Sequence, residues 1–203
     1  MRQVTGSNPS VQNKMVSIRL ASGGHSFSAT TLQKDICNAD SVRVIIDTHR
    51  TTLIPAEQFD KERAADYLAI NGLMPTADEE VVWSSLASDI VAVMAINRTA
   101  KTAIESHVKG SIEWYTPLLD TSHSDEECCC VEVRSSTCYI RIYNTSGLWL
   151  AEALNISSDE ELLYYITQIC EIGEIATSVP IYIKGERSCV KVLKRYFKKV
   201  ICE

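Results

Sequence analysis

The sequence lacks an excess of basic residues, a long apolar run and an apolar leader. It carries 20 Lys and Arg against 26 Asp and Glu, which gives a net charge of −6. Proteins that bind nucleic acid normally show a basic balance or a basic face, so this composition argues against that class. No apolar run approaches the roughly 20 residues that span a bilayer, and residues 1–13 contain no signal-peptide core. We therefore expect a cytoplasmic protein without membrane contact and with a disordered segment at 1–13.

Metal-binding and nucleophile patterns are also missing, although the chain has eight cysteines. It has no C-x-x-C pair, none of its four histidines stands at metal-ligand spacing from another, and no familiar hydrolase motif occurs. Cys128, Cys129 and Cys130 are consecutive, and neighbouring side chains on a strand point to opposite faces, so at most two of these thiols can converge. In a reducing compartment such thiols behave as small buried hydrophobes. We expect reduced core cysteines, no metal and no cofactor.

The first half of the chain alternates short β-like runs with helical patterns. Residues 14–20 and 25–32 flank the turn Ser22-Gly23-Gly24, which is typical of a β-hairpin. The β-branched run Val42–Ile46 ends at Asp47 and predicts a third strand in the centre of a sheet. Further along, the pattern predicts a helix over 60–70 with Asp60 as its N-cap, strands over 81–86 and 90–96, a helix from its cap Asn97 to about Lys109, and an edge strand over 112–115.

The second half repeats this order. The acidic, aperiodic stretch 120–127 predicts a linker between a first half at 14–119 and a second half at 128–203. Cys128–Arg134 and Cys138–Tyr143 predict a hairpin that turns at Ser135-Ser136. A third strand over 148–154, a helix that starts at the capping box Ser158…Glu161, a strand over 179–183 and a final helix over 187–197 follow. Each half thus runs hairpin, third strand, helix, strand, helix, which indicates internal duplication.

Several short stretches stand in an order that is more specific than any one of them. They are Val16–Leu20 with the glycine turn and Ser26–Ser28 after it, Thr52–Pro55 with Phe59, Ala65–Leu68 with Asn71–Leu73, and Leu148 through Asp159–Ile166 to Ile181–Gly185. In this order they resemble an uncharacterised bacterial family of unknown function. The resemblance implies an α/β, ribonuclease-H-like fold of the actin, Hsp70 and sugar-kinase superfamily, duplicated into two similar halves. The family brings no established activity with it.

The resemblance also implies where a nucleotide would lie. Active members of the superfamily hold it between their halves on Gly-rich turns, where acidic residues hold a divalent metal. The corresponding turns here are Leu20–Gly24 and Arg134–Thr137, and neither contains an aspartate. Because a Mg²⁺–phosphate site without carboxylates lacks its usual ligands, we expect neither ATP binding nor a catalytic residue. Asp47 is the one acid in a suggestive place, and a lone Asp at a strand end is commonly a cap or turn residue.

These observations favour a binding or scaffold protein over an enzyme, with an unidentified protein partner or a second copy of the chain as its ligand. The candidate rim residues of the cleft between the halves are Ser22, Gly23, Gly24, Asp47, Ser135, Ser136 and Gly185. Two alternatives stay open. The chain could be a weak nucleotide-binding ATPase or kinase-like protein of the same superfamily, or an adaptor that binds nucleic acid through the basic run Lys191–Lys199.

Overall fold

The computed structural model describes residues 15–21, 36–186 and 188–203 as eleven strands in three sheets, with four α-helices. The strands are β1 Met15–Leu20, β2 Ser41–Ile46, β3 Thr51–Pro55, β4 Glu79–Trp83, β5 Ile90–Asn97, β6 Ser111–Tyr115, β7 Cys128–Arg134, β8 Thr137–Asn144, β9 Gly147–Asn155, β10 Ile181–Gly185 and β11 Val200–Cys202. The helices are α1 Ala64–Ile70, α2 Arg98–His107, α3 Asp159–Ile172 and α4 Val190–Leu193. The expected mixed α/β class is confirmed.

Sheet A contains β1, β2 and β6 in the order β1-β2-β6, and all three strands are parallel. The apolar run predicted at 42–46 is the central strand, because Val42, Val44 and Ile46 pack into a core that α2 covers with Ala100 and Ile104. Its predicted central position is confirmed, and it pairs in parallel with β1 on one side and β6 on the other. The pattern of apolar residues indicates how deeply a strand is buried. It does not show whether the strand runs parallel or antiparallel to its neighbour. The predicted hairpin turn and its second strand over 25–32 lie outside the described residues.

Sheet B is antiparallel, in the order β3-β5-β4, and α1 packs on it through Ala64 and Leu68. Two predicted N-caps are confirmed. The Asp60 carboxylate accepts a hydrogen bond from the Glu62 backbone N–H at the start of a 3₁₀ turn that leads into α1, and the Asn97 side chain accepts from the N–H of Ala100. Both caps satisfy donors that the first turn of a helix leaves unpaired.

Sheet C has the order β11-β10-β7-β8-β9. The predicted hairpin of β7 and β8 and the third strand β9 are confirmed as an antiparallel meander, and β10 and β11 extend it in parallel on the other side of β7. The α3 helix packs on one face through Leu162, Ile166 and Cys170. Ser158 caps it as predicted, whereas the Glu161 carboxylate binds the N–H and hydroxyl of Ser157, one residue earlier than a capping box requires.

The C-terminal prediction is wrong in two respects. The final helix, expected over 187–197, is the single turn α4, although Leu193 and Phe197 are buried as the pattern indicated. The chain then enters β11, a three-residue strand that pairs with β10. The hydrophobic pattern of the sequence did not predict this strand. Three residues are too few to show an alternating pattern, so this strand is defined by its neighbour.

The parallel trio β1-β2-β6 of sheet A matches the trio β7-β10-β11 of sheet C in chain order and direction. The stretch 120–127, predicted as a linker, joins the segments that build the two sheets, and its Asp120 carboxylate binds Arg141 and Lys184 of sheet C. No described helix has the length and apolar character needed to cross a membrane.

Candidate binding cleft

Sheets A and C meet near the C-terminal ends of strands β1, β2 and β7. Arg19 is the penultimate residue of β1, and Asp47 directly follows β2, where its N–H donates to the carbonyl of Leu20 over 2.8 Å. Glu132 points into the same region from β7 of the other sheet. Carboxyl ends of neighbouring parallel strands lie at one edge of a sheet, and ligands of open α/β sheets bind at such edges. A ligand-binding site is therefore expected at this junction.

The Arg19 guanidinium binds one carboxylate from each side of the junction. Its Nη1 lies 2.7 Å from Asp47 Oδ1, and its Nη2 lies 2.7 Å from Glu132 Oε1. Arg134 adds a second guanidinium, with Nε 3.0 Å from the same oxygen of Glu132. Two cations thus offset two carboxylates, and both acids are buried, at 7% and 3% exposure. A buried carboxylate requires such partners, because an unpaired charge in a protein interior is strongly unfavourable.

The pKa of Asp47 is raised to about 6, chiefly by burial, against the attraction of Arg19 and with a smaller contribution from the neighbouring charge of Glu132. Removal from water disfavours the ionised carboxylate more than one shared guanidinium favours it. The charge state of this junction consequently changes near neutral pH.

Tyr139 ties the sheets together beside the ion pairs. It projects from β8, is fully buried, and its hydroxyl lies 3.3 Å from the carbonyl of Ile46 and 3.4 Å from that of Thr48. The hydroxyl donates to these carbonyls, which belong to the end of β2 and the residues after it. Burial raises the pKa of Tyr139 far above that of a free phenol. The phenol therefore acts as a fixed donor between the sheets.

Contacts with other residues of the chain fix the conformation of the turn after β7. Ser135 adopts a left-handed φ of 51°, and its N–H donates to Glu186 Oε1 over 2.7 Å. Gly185 has a φ of 89°, and a Cβ there would approach the Val133 carbonyl oxygen to 2.3 Å and the Arg134 side chain to about 3 Å. The Ser136 carbonyl accepts from the N–H of Ile156. Backbone donors that could cradle a phosphate are thus partly used by the protein itself.

The structure brings four of the seven sequence-predicted rim residues to one region. Gly185 pairs with Val133 beside Arg134, and Arg134 connects through Glu132 and Arg19 to Asp47, while Ser135 and Ser136 form the adjoining turn. The remaining three, Ser22, Gly23 and Gly24, lie outside the described residues.

Arg19 and Glu132 were missed from sequence. A signal for Glu132 existed, because it is the one charged residue within the buried run Cys128–Val133, and Glu is almost never fully buried unless paired. Arg19 gave no comparable signal, since charged residues commonly alternate with apolar ones on a strand. Its role depends on a partner 113 residues away.

The described residues leave a cavity of about 20 Å³ beside Asp47, lined also by Leu20, Thr48 and Asn97. Such a volume holds about one water molecule. The ion pairs of Arg19 and the hydroxyl of Tyr139 connect the segments around sheets A and C beside this cavity.

Comparison with solved structures gives the class of fold. A protein of unknown function with an actin-like ATPase fold, from Bacteroides thetaiotaomicron, superposes with a TM-score of 0.73 at 18% identity, covering 94% of this chain and 91% of that one. The expected actin-like fold is thereby confirmed. Weaker matches are an AlfA filament bound to AMPPNP (TM-score 0.41, 15% identity, 85% and 55% coverage) and the cytoplasmic domain of EpsL, an inner membrane component of the type II secretion system of Vibrio cholerae (TM-score 0.42, 11% identity, 90% and 93% coverage).

Residues 37–200 match the family described as proteins of unknown function, DUF3822. The chain belongs to this family, as its resemblance to an uncharacterised family indicated. A search of curated proteins finds no match.

Proposed function

We propose that this chain is a non-catalytic binding or scaffold module that retains an actin-like fold and fills its central cleft with its own ion pairs. The observation that carries the proposal is the pairing of Arg19 with Asp47 and Glu132 at 2.7 Å each. In phosphate-binding sites, carboxylates at this position would hold Mg²⁺ and orient water. Here they already have an internal cation.

The free-energy cost of displacing Arg19 supports this proposal. A metal ion could take Asp47 and Glu132 only by displacing Arg19, which is itself 30% exposed and tied on both sides. The displaced guanidinium would lose two charge-assisted hydrogen bonds, which are about twice as strong as neutral ones. Nucleotide binding would have to offset this loss, whereas a protein partner at the rim would leave the pairs intact.

The proposal includes the duplicated architecture expected from the sequence, with the trios β1-β2-β6 and β7-β10-β11 as the cores of the two halves. Its ligand is an unidentified cytoplasmic protein partner or a second copy of the chain. Ser135, Ser136 and Gly185 would lie on the binding rim.

Calorimetric titration with ATP and Mg²⁺ tests the proposal, with hydrolysis followed by phosphate release. We expect no saturable binding heat and no turnover for the wild-type chain. The Arg19→Gln variant, tested at a temperature where its melting curve shows it folded, removes the cation that Asp47 and Glu132 share while Arg134 still pairs with Glu132; if Arg19 is what excludes Mg²⁺, this variant should bind Mg²⁺ and ATP more strongly than the wild type. Mg²⁺-dependent turnover by the wild type that is lost in Asp47→Asn would overturn the proposal and establish the nucleotide-binding ATPase alternative.

A further inference from the structure

The connection 120–127 lies against sheet C beside the strands β10 and β11. Its first residue, Asp120, binds two cationic side chains of this sheet. Three residues further on, the ring of His123 stacks on the ring of Tyr182 in β10, with centroids 3.8 Å apart and planes inclined by 11°. The connection is therefore attached to sheet C at two points, and the second point is a titratable ring.

His123 is bonded to a carboxylate at each of its ring nitrogens. Nδ1 lies 2.9 Å from Glu126 Oε1 in the same segment, and Nε2 lies 2.6 Å from Oε1 of Glu203, the residue that follows β11. The N–H of Glu203 donates to the carbonyl of Ile183 over 2.9 Å, so this residue continues the ladder between β11 and β10. One imidazole thus connects two segments that are 80 residues apart in the chain.

These two contacts require the charged form of the ring. An ionised carboxylate only accepts hydrogen bonds, whereas a neutral imidazole has a single N–H and presents a lone pair at its other nitrogen. Only the imidazolium can donate to Glu126 and Glu203 at once, and the stacked ring of Tyr182 also attracts a cation. Burial lowers the pKa of His123, but the hydrogen bonds with Glu203 and Glu126 outweigh it and raise this pKa above its ordinary value of 6.5.

The titratable and charged groups around His123 and its two carboxylates come from four elements. They are Glu126 in its own segment, Cys128 on β7, Tyr182 on β10, and Lys199 and Glu203 at the two ends of β11. Burial raises the pKa of the Cys128 thiol, the hydrogen bond to Glu126 raises that of Tyr182, and the hydrogen bond from His123 lowers that of Glu126. Among these groups, the imidazole is the one whose ordinary pKa lies near neutral pH.

We propose that His123 is a pH-sensitive latch, which holds the connection 120–127 to the end of β11 in its protonated form and releases Glu203 in its neutral form. Deprotonation leaves one N–H for two carboxylates. Glu126 keeps it, because its own N–H donates to the His123 carbonyl in the same turn and the Tyr182 hydroxyl also binds its carboxylate.

Glu203 then faces a ring lone pair and the uncompensated charge of Glu126. The three-residue ladder of β11 loses the side-chain contact that holds its end. Because the pKa of His123 is raised by folding, the latch is closed at low pH and opens as the pH rises through the folded value. The device is separate from the cleft between sheets A and C.

The wild-type chain provides the first test, by NMR over a range of about pH 5 to pH 9 around the imidazole pKa. The His123 ring and the Glu203 side-chain carboxyl carbon are followed together, and we expect one shared midpoint above 6.5. Hydrogen exchange of the Glu203 amide, corrected for its intrinsic pH dependence, gives the opening of the end of β11. We expect this opening to increase at least about threefold through the titration of His123, as loss of one partly exposed ion pair requires.

Two histidine variants separate the latch from general effects of pH. His123→Gln carries no titrating group, so it should show the larger opening of the Glu203 amide at every pH. His107→Gln is the matched control, because the ring of His107 contacts the Ala103 carbonyl at the end of α2, and it should keep the wild-type pH dependence. An opening that stays constant while His123 titrates, a pH dependence that survives His123→Gln, or a His123 midpoint at or below 6.5 overturns the proposal.

Discussion

Arg19 and Glu132 form an ion pair of 2.7 Å although 113 residues separate them in sequence. The pair joins β1 of sheet A to β7 of sheet C, which are the first strands of two parallel trios with the same order. Because Arg19 also holds Asp47, one guanidinium connects both sheets at the junction where this class of fold could hold a ligand.

Loss of the Arg19 side chain should destabilise the protein far more than loss of a comparable surface arginine. Arg19→Gln leaves two buried carboxylates without their shared cation, and breaking a buried pair costs about 3 kcal/mol or more of unfolding free energy. Arg43 is the matched control, because its side chain is 32% exposed against 30% for Arg19 and it pairs with Glu113, which is itself 29% exposed. Arg43→Gln should cost about 1 kcal/mol or less. Urea denaturation measures both, and equal costs would show that the junction contributes little.

The Asp47 carboxyl should make stability depend on pH between about 4 and 7. Its pKa is raised from 3.8 to about 6 in the folded protein, so folding favours the protonated form. The corresponding stabilisation is fully present below the unfolded pKa and is lost as the pH rises through the folded one. Relative to wild type, Asp47→Asn should therefore gain about 2 kcal/mol between pH 4 and pH 7, because part of the shift is expressed only below pH 4. Thermal melts across this range test it, with the exposed Asp66→Asn as the control for loss of one acidic charge, and an unchanged difference for Asp47→Asn contradicts the prediction.

Gly185 should tolerate no side chain, which distinguishes it from the other glycine of sheet C with positive φ. Both Gly185 and Gly147 have positive φ, and an alanine there costs about 1–2 kcal/mol in strain. At Gly185 the new Cβ would also meet the Val133 carbonyl oxygen at 2.3 Å, whereas at Gly147 nothing lies within 4 Å. We expect Gly147→Ala to fold with a modest loss and Gly185→Ala to lose at least twice as much. Chemical denaturation of both variants decides the point, and similar losses would mean that β7 moves aside.

Partner capture should depend on the turn between β7 and β8. Ser136→Trp adds bulk to the proposed rim at an exposed position and should abolish capture in a pull-down from native cells with little change in melting temperature. Ser146→Trp is the matched control, because it changes an exposed serine in the turn that follows β8 at its opposite end. Capture that survives Ser136→Trp and fails on Lys194→Glu or Lys198→Glu would move the function to the basic C-terminal segment.

The cysteines should remain reduced, with no stoichiometric zinc in protein purified without chelator. Cys128 and Cys130 share one face of β7, with their sulfurs 3.6 Å apart, and Cys129 packs into the core on the other face, as the alternation of strand side chains predicted. Burial raises the pKa of Cys130 to about 12, and that of Cys129 well above its ordinary value, so these thiols stay protonated and unreactive. Exposed Cys202 should react first with a disulfide reagent. One zinc per chain, lost in Cys129→Ser, would contradict the prediction.

Features that depend on near neighbours in the chain could be predicted from the sequence. The caps at Asp60, Asn97 and Ser158 and the hairpin of β7 and β8 were all found, because each rests on hydrogen bonds or side-chain alternation within a few residues. The buried positions of α3 followed from helical spacing in the same way. The sequence by itself thus determined where most strands and helices lie and which faces they bury.

What the tertiary structure decided is how these elements meet. The parallel pairing of β2 with β1, the existence of β11, and the joining of Asp47 and Glu132 through Arg19 all depend on partners distant in the chain. An apolar run can have the same sequence whether the neighbouring strand is parallel or antiparallel. A charged residue on a strand can likewise have the same sequence context whether its side chain contacts water or a buried carboxylate. Burying a charge without a partner is unfavourable in free energy, so each buried charge of the cleft requires its particular partner. This requirement arises only after sheets A and C have come together.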